Sequence, residues 1–324
     1  MKKRLIPLLL ALLLLTACTA PGAGRTGTTA TNVPGTAPVR PEAIAPEDLD
    51  SRETATLYFR YLSEPYLAPE TRIITHSPSK PYELSLLTEL LSGPGTHAAD
   101  LTSLFPTGTQ VLSTVTQGRT LFVTLSQEIM SGYADDKNVS QQEQQLRRQL
   151  CMQSLVATIT ENCDIDQVQI LVEQTDNTSG SLRLQERYFL IDPLSTSLVG
   201  PMTRDDALLL TPGNTAEVIC RLWLSRDWQR LYQYIALRDP VTGVERSSYR
   251  DFVTAMENLP VLCDYALSGG SVTAGGDQAT YSLSAATLQY NRETRHEGRI
   301  LRLCRESGIW RVTVKQLTGW LEVQ

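Results

Sequence analysis

Histidine is scarce in this chain: His76, His97 and His296 are the only three in 324 residues. No two stand at metal-ligand spacing and no His-Glu-x-x-His run occurs, so no metal is assigned. Each of the three falls where the sequence reads as a solvated loop. His76 precedes Ser77-Pro78, His97 follows Gly93-Pro94-Gly95, and His296 lies in the charged run 291–298. Nucleophile and phosphate signatures are missing too: there is no Gly-x-Ser-x-Gly, no Ser-x-x-Lys and no glycine-rich cradle. Asp135-Asp136 and Asp205-Asp206 are adjacent pairs, not carboxylates set apart across a cleft as sugar hydrolysis requires. Asp164-Ile165-Asp166 opens like a calcium loop, but the glycine and closing glutamate are absent. No catalytic residue and no cofactor are assigned, ligand-binding residues stay unknown, and the expectation is a protein that is not an enzyme.

Positive charge is also in deficit. Twenty-nine Lys and Arg face 35 Asp and Glu, for a net charge of −6. Nucleic acids and anionic lipid headgroups are held by clustered basic residues, so neither is an expected partner. Cysteine shows no Cys-x-x-Cys or metal-like spacing. Cys151, Cys163, Cys220, Cys263 and Cys304 each sit in apolar sequence and read as buried thiols. An odd number leaves at least one unpaired outside the cell; a Cys151–Cys163 or Cys263–Cys304 bridge has no independent support.

Long apolar runs are confined to the start. Lys2, Lys3 and Arg4 precede the apolar stretch 5–15, and Leu15-Thr16-Ala17-Cys18 then matches a lipobox. The run is too short to span a bilayer, which takes ~20 apolar residues, and its layout is that of a cleaved export signal. Only a thiol gives the thioether-linked diacylglycerol, so Cys18 is the expected lipidation site, carrying acyl chains of the palmitate type. Removing residues 1–17 takes away three basic groups and no acidic one, so the net charge of −6 becomes −9. One acyl chain holds a protein only marginally and two anchor it stably. The expected partner of this end is the membrane, through the lipid anchor, with the body on the extracytoplasmic face of the cell membrane.

Residues 18–51 are rich in Thr, Gly, Ala and Pro and read as a disordered tether, which fully extended reaches ~100 Å. Ordered sequence follows. Residues 55–62 and 67–76 are β-rich, and 81–91 has helical apolar spacing with Pro81 at its start and Gly93-Pro94-Gly95 as its stop. Strands are expected at 111–115, 121–125 and 166–173, with a long helix over 140–160 capped by Ser140.

These pieces, in order, carry a resemblance. Leu57-Tyr58-Phe59 opens the first strand, and Leu67, Glu70 and Arg72 follow on the second. Glu89-Leu90-Leu91-Ser92-Gly93-Pro94 ends the helix. Phe105-Pro106-Thr107-Gly108-Thr109 makes a turn, Leu125-Ser126-x-Glu128 closes a strand, residues 153–160 lie in the long helix and 168–172 in the last strand. Together they resemble the GerMN domain of sporulation and spore-germination proteins and envelope lipoproteins, over residues 52–177. The departure is Glu173-Gln174, where the family often ends on an acidic residue and a glycine. The resemblance implies a fold and no active site. Glu70 and Arg72, two apart on a strand, share a face and are expected to pair with one another or to cap a neighbour.

Residues 178–213, broken by Pro193, Pro201 and Pro212, read as a connector or an extra hairpin. Residues 182–191 look like a strand within it. From Asn214, a helical run to about Leu237, a helix over 247–259 and strands at 261–267, 279–290, 299–305 and 309–316 make an α+β unit, 214–324. Gly269-Gly270, Gly275-Gly276 and Glu306-Ser307-Gly308 are its turn signals. Its outline, with Gly308-Ile309-Trp310 on the last strand, is similar to nuclear-transport-factor-2-like domains.

The fold class expected is therefore α+β: a GerMN-like domain, then helices followed by an antiparallel sheet. The expected function is that of a membrane-anchored lipoprotein working by contact with envelope proteins, self-association included, in sporulation, germination or envelope assembly. The alternative is a ligand-binding lipoprotein using an aromatic pocket made by Trp223, Trp228, Tyr232, Tyr234, Tyr265, Tyr281, Trp310 and Trp320.

Overall fold

In the computed structural model, which describes residues 50–174 and 180–321, the first element is already longer than expected. Strand β1 (Ser51–Tyr61) takes in the last residue assigned to the tether, and Cys18 lies outside the described residues. β1 pairs antiparallel with β2 (Leu67–His76), in register from Ser51 opposite His76 to Arg60 opposite Leu67. The two-residue strand β3 (Leu101–Thr102) flanks the other edge of β1, but only at Arg60 and Tyr61. Helix α1 (Tyr82–Leu91) buries Leu86, Leu87 and Leu90 and stops at Gly93, whose φ of +89° suits a residue without a Cβ.

A second sheet follows. β4 (Val111–Gln117) and β5 (Thr120–Leu125) form a hairpin; the chain then crosses through helix α2 (Gln141–Asn162) to β6 (Gln167–Glu173), parallel to β5. With β7 (Ser181–Arg183) the order is β4-β5-β6-β7, against β2-β1-β3 in the first sheet. Ser140 caps α2 by accepting from the Glu143 amide, as expected.

The middle of α2 is buried on all sides, every residue from Leu150 to Ile159, so it is a core helix and not an amphipathic one. Its polar positions stitch it to the open edge of β1. Ser154 donates to the Tyr58 carbonyl at 2.6 Å and Thr158 accepts from the Tyr58 amide at 3.1 Å. Asn162 accepts from the Thr56 amide and donates to its carbonyl. Residues 154, 158 and 162 stand four apart and so share one helix face. They satisfy backbone groups that the short β3 leaves without a strand partner.

The stretch after β6 opens as a short hairpin arm, β7 pairing antiparallel with β6. Only Ser181–Arg183 is strand, and the rest runs along the first half. Met202 exchanges hydrogen bonds with Val168, Gln153 clasps Thr203 and Asp205, Arg204 pairs with Glu161, and Leu210 donates to the Leu67 carbonyl.

The second half departs from expectation at several points. The helical run breaks into α3 (Pro212–Leu224) and α4 (Trp228–Gln233), with Arg226 at φ +57° between them. α3 starts ahead of Asn214, with Thr211 as its cap and Pro212 behind it. After α5 (Tyr249–Glu257) come β8 (Val261–Val272), β9 (Gln278–Gln289), β10 (Arg292–Glu306) and β11 (Ile309–Arg311), in order β11-β10-β9-β8. The last expected strand turns after Arg311 into helix α6 (Val314–Thr318), fixed by a Thr313–Gln316 capping box.

Gly269-Gly270 is no turn. It forms a register shift inside β8, and the Tyr281 ring lies where a side chain on Gly270 would go. The charged run 291–298 is likewise the first part of β10, so His296 is not in a loop. It is buried, its Nε2 is 3.0 Å from the Thr287 hydroxyl, and its ring packs edge-on against Trp320. Polar residues on the other face of β10 gave the stretch its loop-like composition.

Residues Asp48–Gln324 form one compact unit with a continuous buried apolar cluster running through both halves.

Candidate functional site

The two halves meet along a seam whose parts come from loops and strand ends. Glu64, in the turn between β1 and β2, is 3% exposed, and its carboxylate receives Nε and Nη2 of Arg230 on α4, the former at 2.7 Å. A buried carboxylate needs such a partner, because desolvation without one is costly. Tyr61, at the end of β1, packs edge-on against Tyr234 at 5.5 Å and donates its hydroxyl to the Gln233 carbonyl at 2.9 Å. Burial pushes the Tyr61 phenol up to about 12. Arg311, 4% exposed on β11, bonds the same Gln233 carbonyl and the Asp100 carboxylate from the first half. Gly308, between β10 and β11, has φ +87°, and a Cβ there would stand 2.7 Å from the Pro69 carbonyl oxygen. The turn expected at 306–308 is thus a docking point, and glycine is required twice over, for its backbone angle and for the close approach.

Beside these contacts opens a cleft of about 690 Å³, walled by Glu70, His97 and Asp100 on one side and Arg246, Glu306 and Tyr232 on the other. Its charged groups are occupied. Glu70 accepts from Arg72 at 2.9 Å and from the Gly95 amide, while Arg72 also reaches the Gly93 carbonyl. The expected Glu70–Arg72 pairing is therefore present, and it ties the second strand to the glycine stop of α1. Glu306 accepts from the Leu237 and Arg238 amides, and Arg246 lies over the Tyr232 ring at 4.3 Å. His97 is exposed at the rim, as expected of a loop. The cleft presents polar groups already bonded to one another, which suits a contact surface.

The other residues singled out by sequence disperse. His76 ends β2 beside Glu53 and Tyr82. Asp135 pairs with Arg147, and Asp205 caps a 3-10 turn and Asp206 binds Arg204. Arg119 takes both Asp164 and Asp166, so that triplet is an ion-pair cluster. The five described cysteines are free. Cys151, Cys220 and Cys304 are buried, Cys163 half-buried, and burial pushes their thiols up to about 11 or 12. Cys263 corrects the expectation of buried thiols: it is exposed on the outer face of edge strand β8. Among the described residues no group of three or more His, Cys, Asp or Glu is placed to hold a metal ion, and no helix is long and apolar enough to cross a membrane.

The aromatics of the second half do not form a ligand chamber. Trp223, Tyr234, Trp310 and Trp320 are buried in the core, with Trp223 and Trp320 in contact at 5.3 Å. The space beside Trp223 and Trp228 holds only about 10 Å³. Side chains fill the place a ligand would need. Tyr232 alone of that set borders the seam cleft. Sequence reading missed Glu64, Arg230 and Arg311, since charged residues far apart in the chain carry no local signal of meeting; Gly308 was marked as a turn and Tyr234 as a pocket aromatic.

Residues 56–178 match the family model described as Germane, sporulation and spore germination. No curated protein matches the chain. Among solved structures, the tandem GerMN domains of the sporulation protein GerM from Bacillus subtilis align at 17% identity and TM-score 0.32, covering 48% of each chain. The chain thus spans about half the length of that relative. The first GerMN domain of the same protein aligns at 16% identity and TM-score 0.32, covering 47% of this chain and 98% of that one. A crystal structure of a candidate lipoprotein from Clostridium perfringens aligns at 20% identity and TM-score 0.27, covering 49% and 92%. Residues 56–178 are a Germane domain, which links the chain to sporulation- and germination-type proteins.

Proposed function

We propose that this chain, whose residues 56–178 form a Germane domain, is a lipid-anchored extracytoplasmic protein that acts by contact and not by catalysis. The domain match is the observation that carries the reading. The lipobox ending at Cys18 supports the anchor, and the seam cleft, whose Glu70, Asp100 and Glu306 carboxylates are held by Arg72, Arg311 and backbone amides, supports a binding surface over a reactive one. The acidic body, net −9 once residues 1–17 are removed from a net of −6, is repelled by anionic headgroups. Anchoring then falls to the acyl chains. The partners are envelope proteins, in sporulation or germination, with a second copy of the chain among them.

Fractionation with photo-crosslinking in the native host tests this. Wild-type chain is expected in the membrane fraction with a lipidated Cys18 by mass spectrometry, and Cys18→Ala in the soluble fraction. Crosslinkers at exposed His97 are expected to capture envelope proteins. A cytosolic wild type, a Cys18→Ala chain that still sediments with membranes, or a surface that captures nothing overturns the reading.

A further inference from the structure

A second cleft, of about 460 Å³, lies away from the seam between α2, β6 and the stretch after β7. Its innermost charge is Arg148. This residue is 7% exposed, yet its guanidinium makes no hydrogen bond among the described residues, and its Nε is buried without a partner. The nearest carboxylate oxygen, on Asp136, stands at 3.9 Å, beyond hydrogen-bond reach. Arg147, its neighbour, differs in being held by two carboxylates, those of Asp135 and Glu143. A guanidinium taken out of water without bonds is costly unless something completes it.

The cleft has two more atoms without a hydrogen-bond partner, the Gln185 amide oxygen and the Tyr188 hydroxyl, the latter turned toward the buried Cys151 thiol. Nine buried polar side-chain atoms lack a partner among the described residues, and three of them belong to this one wall. Arg183 and Arg187 stand exposed on the cleft's lining, against the single exposed carboxylate of Glu173. The local charge is positive in a chain of net −6. Beside the polar Gln127 and Gln174, the wall has an apolar part made by Met130, Leu184 and Leu190, with the Tyr188 ring 5.2 Å beneath the Arg148 guanidinium. Exposed Leu182 continues this apolar surface along the lining.

We infer that this cleft binds an apolar carboxylate, the chemistry of a peptide's C-terminal residue, with Arg148 receiving the carboxylate. Guanidinium suits that group because its forked donors match the two oxygens. The Gln185 oxygen is placed to accept from an N–H on the same ligand, the apolar wall takes the side chain, and Arg183 and Arg187 draw the anion in.

The test is calorimetric titration of the full chain with N-acetyl-L-leucine, N-acetyl-L-leucinamide and inorganic phosphate. The acid is expected to bind at least about tenfold more tightly than the amide or phosphate. Arg148→Met, similar in length and uncharged, is expected to lose that binding while melting no lower than the wild type, since it removes an unbonded buried charge. A residue needed only for the fold would lower the melting temperature instead. The exposed pair Arg183→Gln with Arg187→Gln leaves the fold untouched and is expected to weaken binding several-fold and flatten its salt dependence. The inference is overturned if the amide or phosphate binds as well as the acid, if Arg148→Met binds like the wild type, or if the acid shows no binding at about 10 mM.

Discussion

Truncating one buried side chain in the Germane half should be felt by reporters that all lie in the other half. The four tryptophans, Trp223, Trp228, Trp310 and Trp320, belong to the second half, so their fluorescence reports on it alone. Leu155 is fully buried on α2, far along the chain from any of them. Leu155→Ala removes buried methyls and leaves a cavity, a change that costs about 3 kcal/mol. For a cooperative unit of this size, each kcal/mol moves the midpoint by roughly 2–4 °C. If the unit Asp48–Gln324 unfolds as one body, the tryptophan transition falls by about 6–12 °C and coincides with the far-UV circular dichroism transition. The physical link is the seam: Glu64 on Arg230, Tyr61 on Gln233, Arg311 on Asp100, and Gly308 against Pro69. The reasoning fails if tryptophan fluorescence melts at the wild-type temperature while circular dichroism splits into two steps. Arg230→Met then isolates the link. It strands the Glu64 carboxylate, and because Arg230 is 44% exposed the cost is about 2–3 kcal/mol, below that of a fully buried pair. That variant should lower the common transition; Glu64→Gln beside it should restore most of the loss.

Three other outcomes are expected. Gly308→Ala puts a Cβ 2.7 Å from the Pro69 carbonyl at a φ of +87°. It should destabilise by about 2 kcal/mol or more in urea unfolding, whereas alanine at Gly276, with φ +68° but open space around it, costs less. Burial, and then nearby Arg299, hold the His296 imidazole below its ordinary value. Below about pH 6.5 the unfolded chain takes up a proton that the folded state resists, so stability falls as the pH drops from 7 to 5; His296→Gln should show a shallower acid limb in thermal melts across that range, and equal slopes refute the assignment. Finally, a maleimide added to native protein should modify Cys263 first, as buried thiols at about 11 or 12 hold almost no thiolate at neutral pH, and peptide mapping that finds Cys151 or Cys220 labelled as fast would contradict the burial.

Much of the first half was legible because its signals are local. Pro81 and Gly93 bracket α1, Ser140 caps α2, and Glu70 and Arg72 meet as strand neighbours on one face. Errors gather where a stretch reads polar but is half-buried, or apolar but ends early. His296 looked solvated because its neighbours on β10 are charged, yet alternation puts it inward. Residues 182–191 looked like a strand, but β7 is short, one bridge from Gln185 to Leu198 follows it, and the chain then turns at Leu190 with φ +57°. Arg148 and Arg147 are indistinguishable in sequence; one residue of helical phase, about 100°, sends the first into a cleft and the second to Asp135.

By itself the sequence determined what depends on neighbours in the chain: the lipobox at Cys18, the acidic balance, and the order of elements by which residues 56–178 are recognised as a Germane domain. The tertiary structure alone decided what depends on residues far apart. It joined the two halves through Glu64 and Arg230, 166 positions apart, filled the second half with its own aromatics, and left Arg148 buried without a bond. The reason is physical: periodicity and turn chemistry act over a few residues, while desolvation is settled only when distant surfaces close on one another.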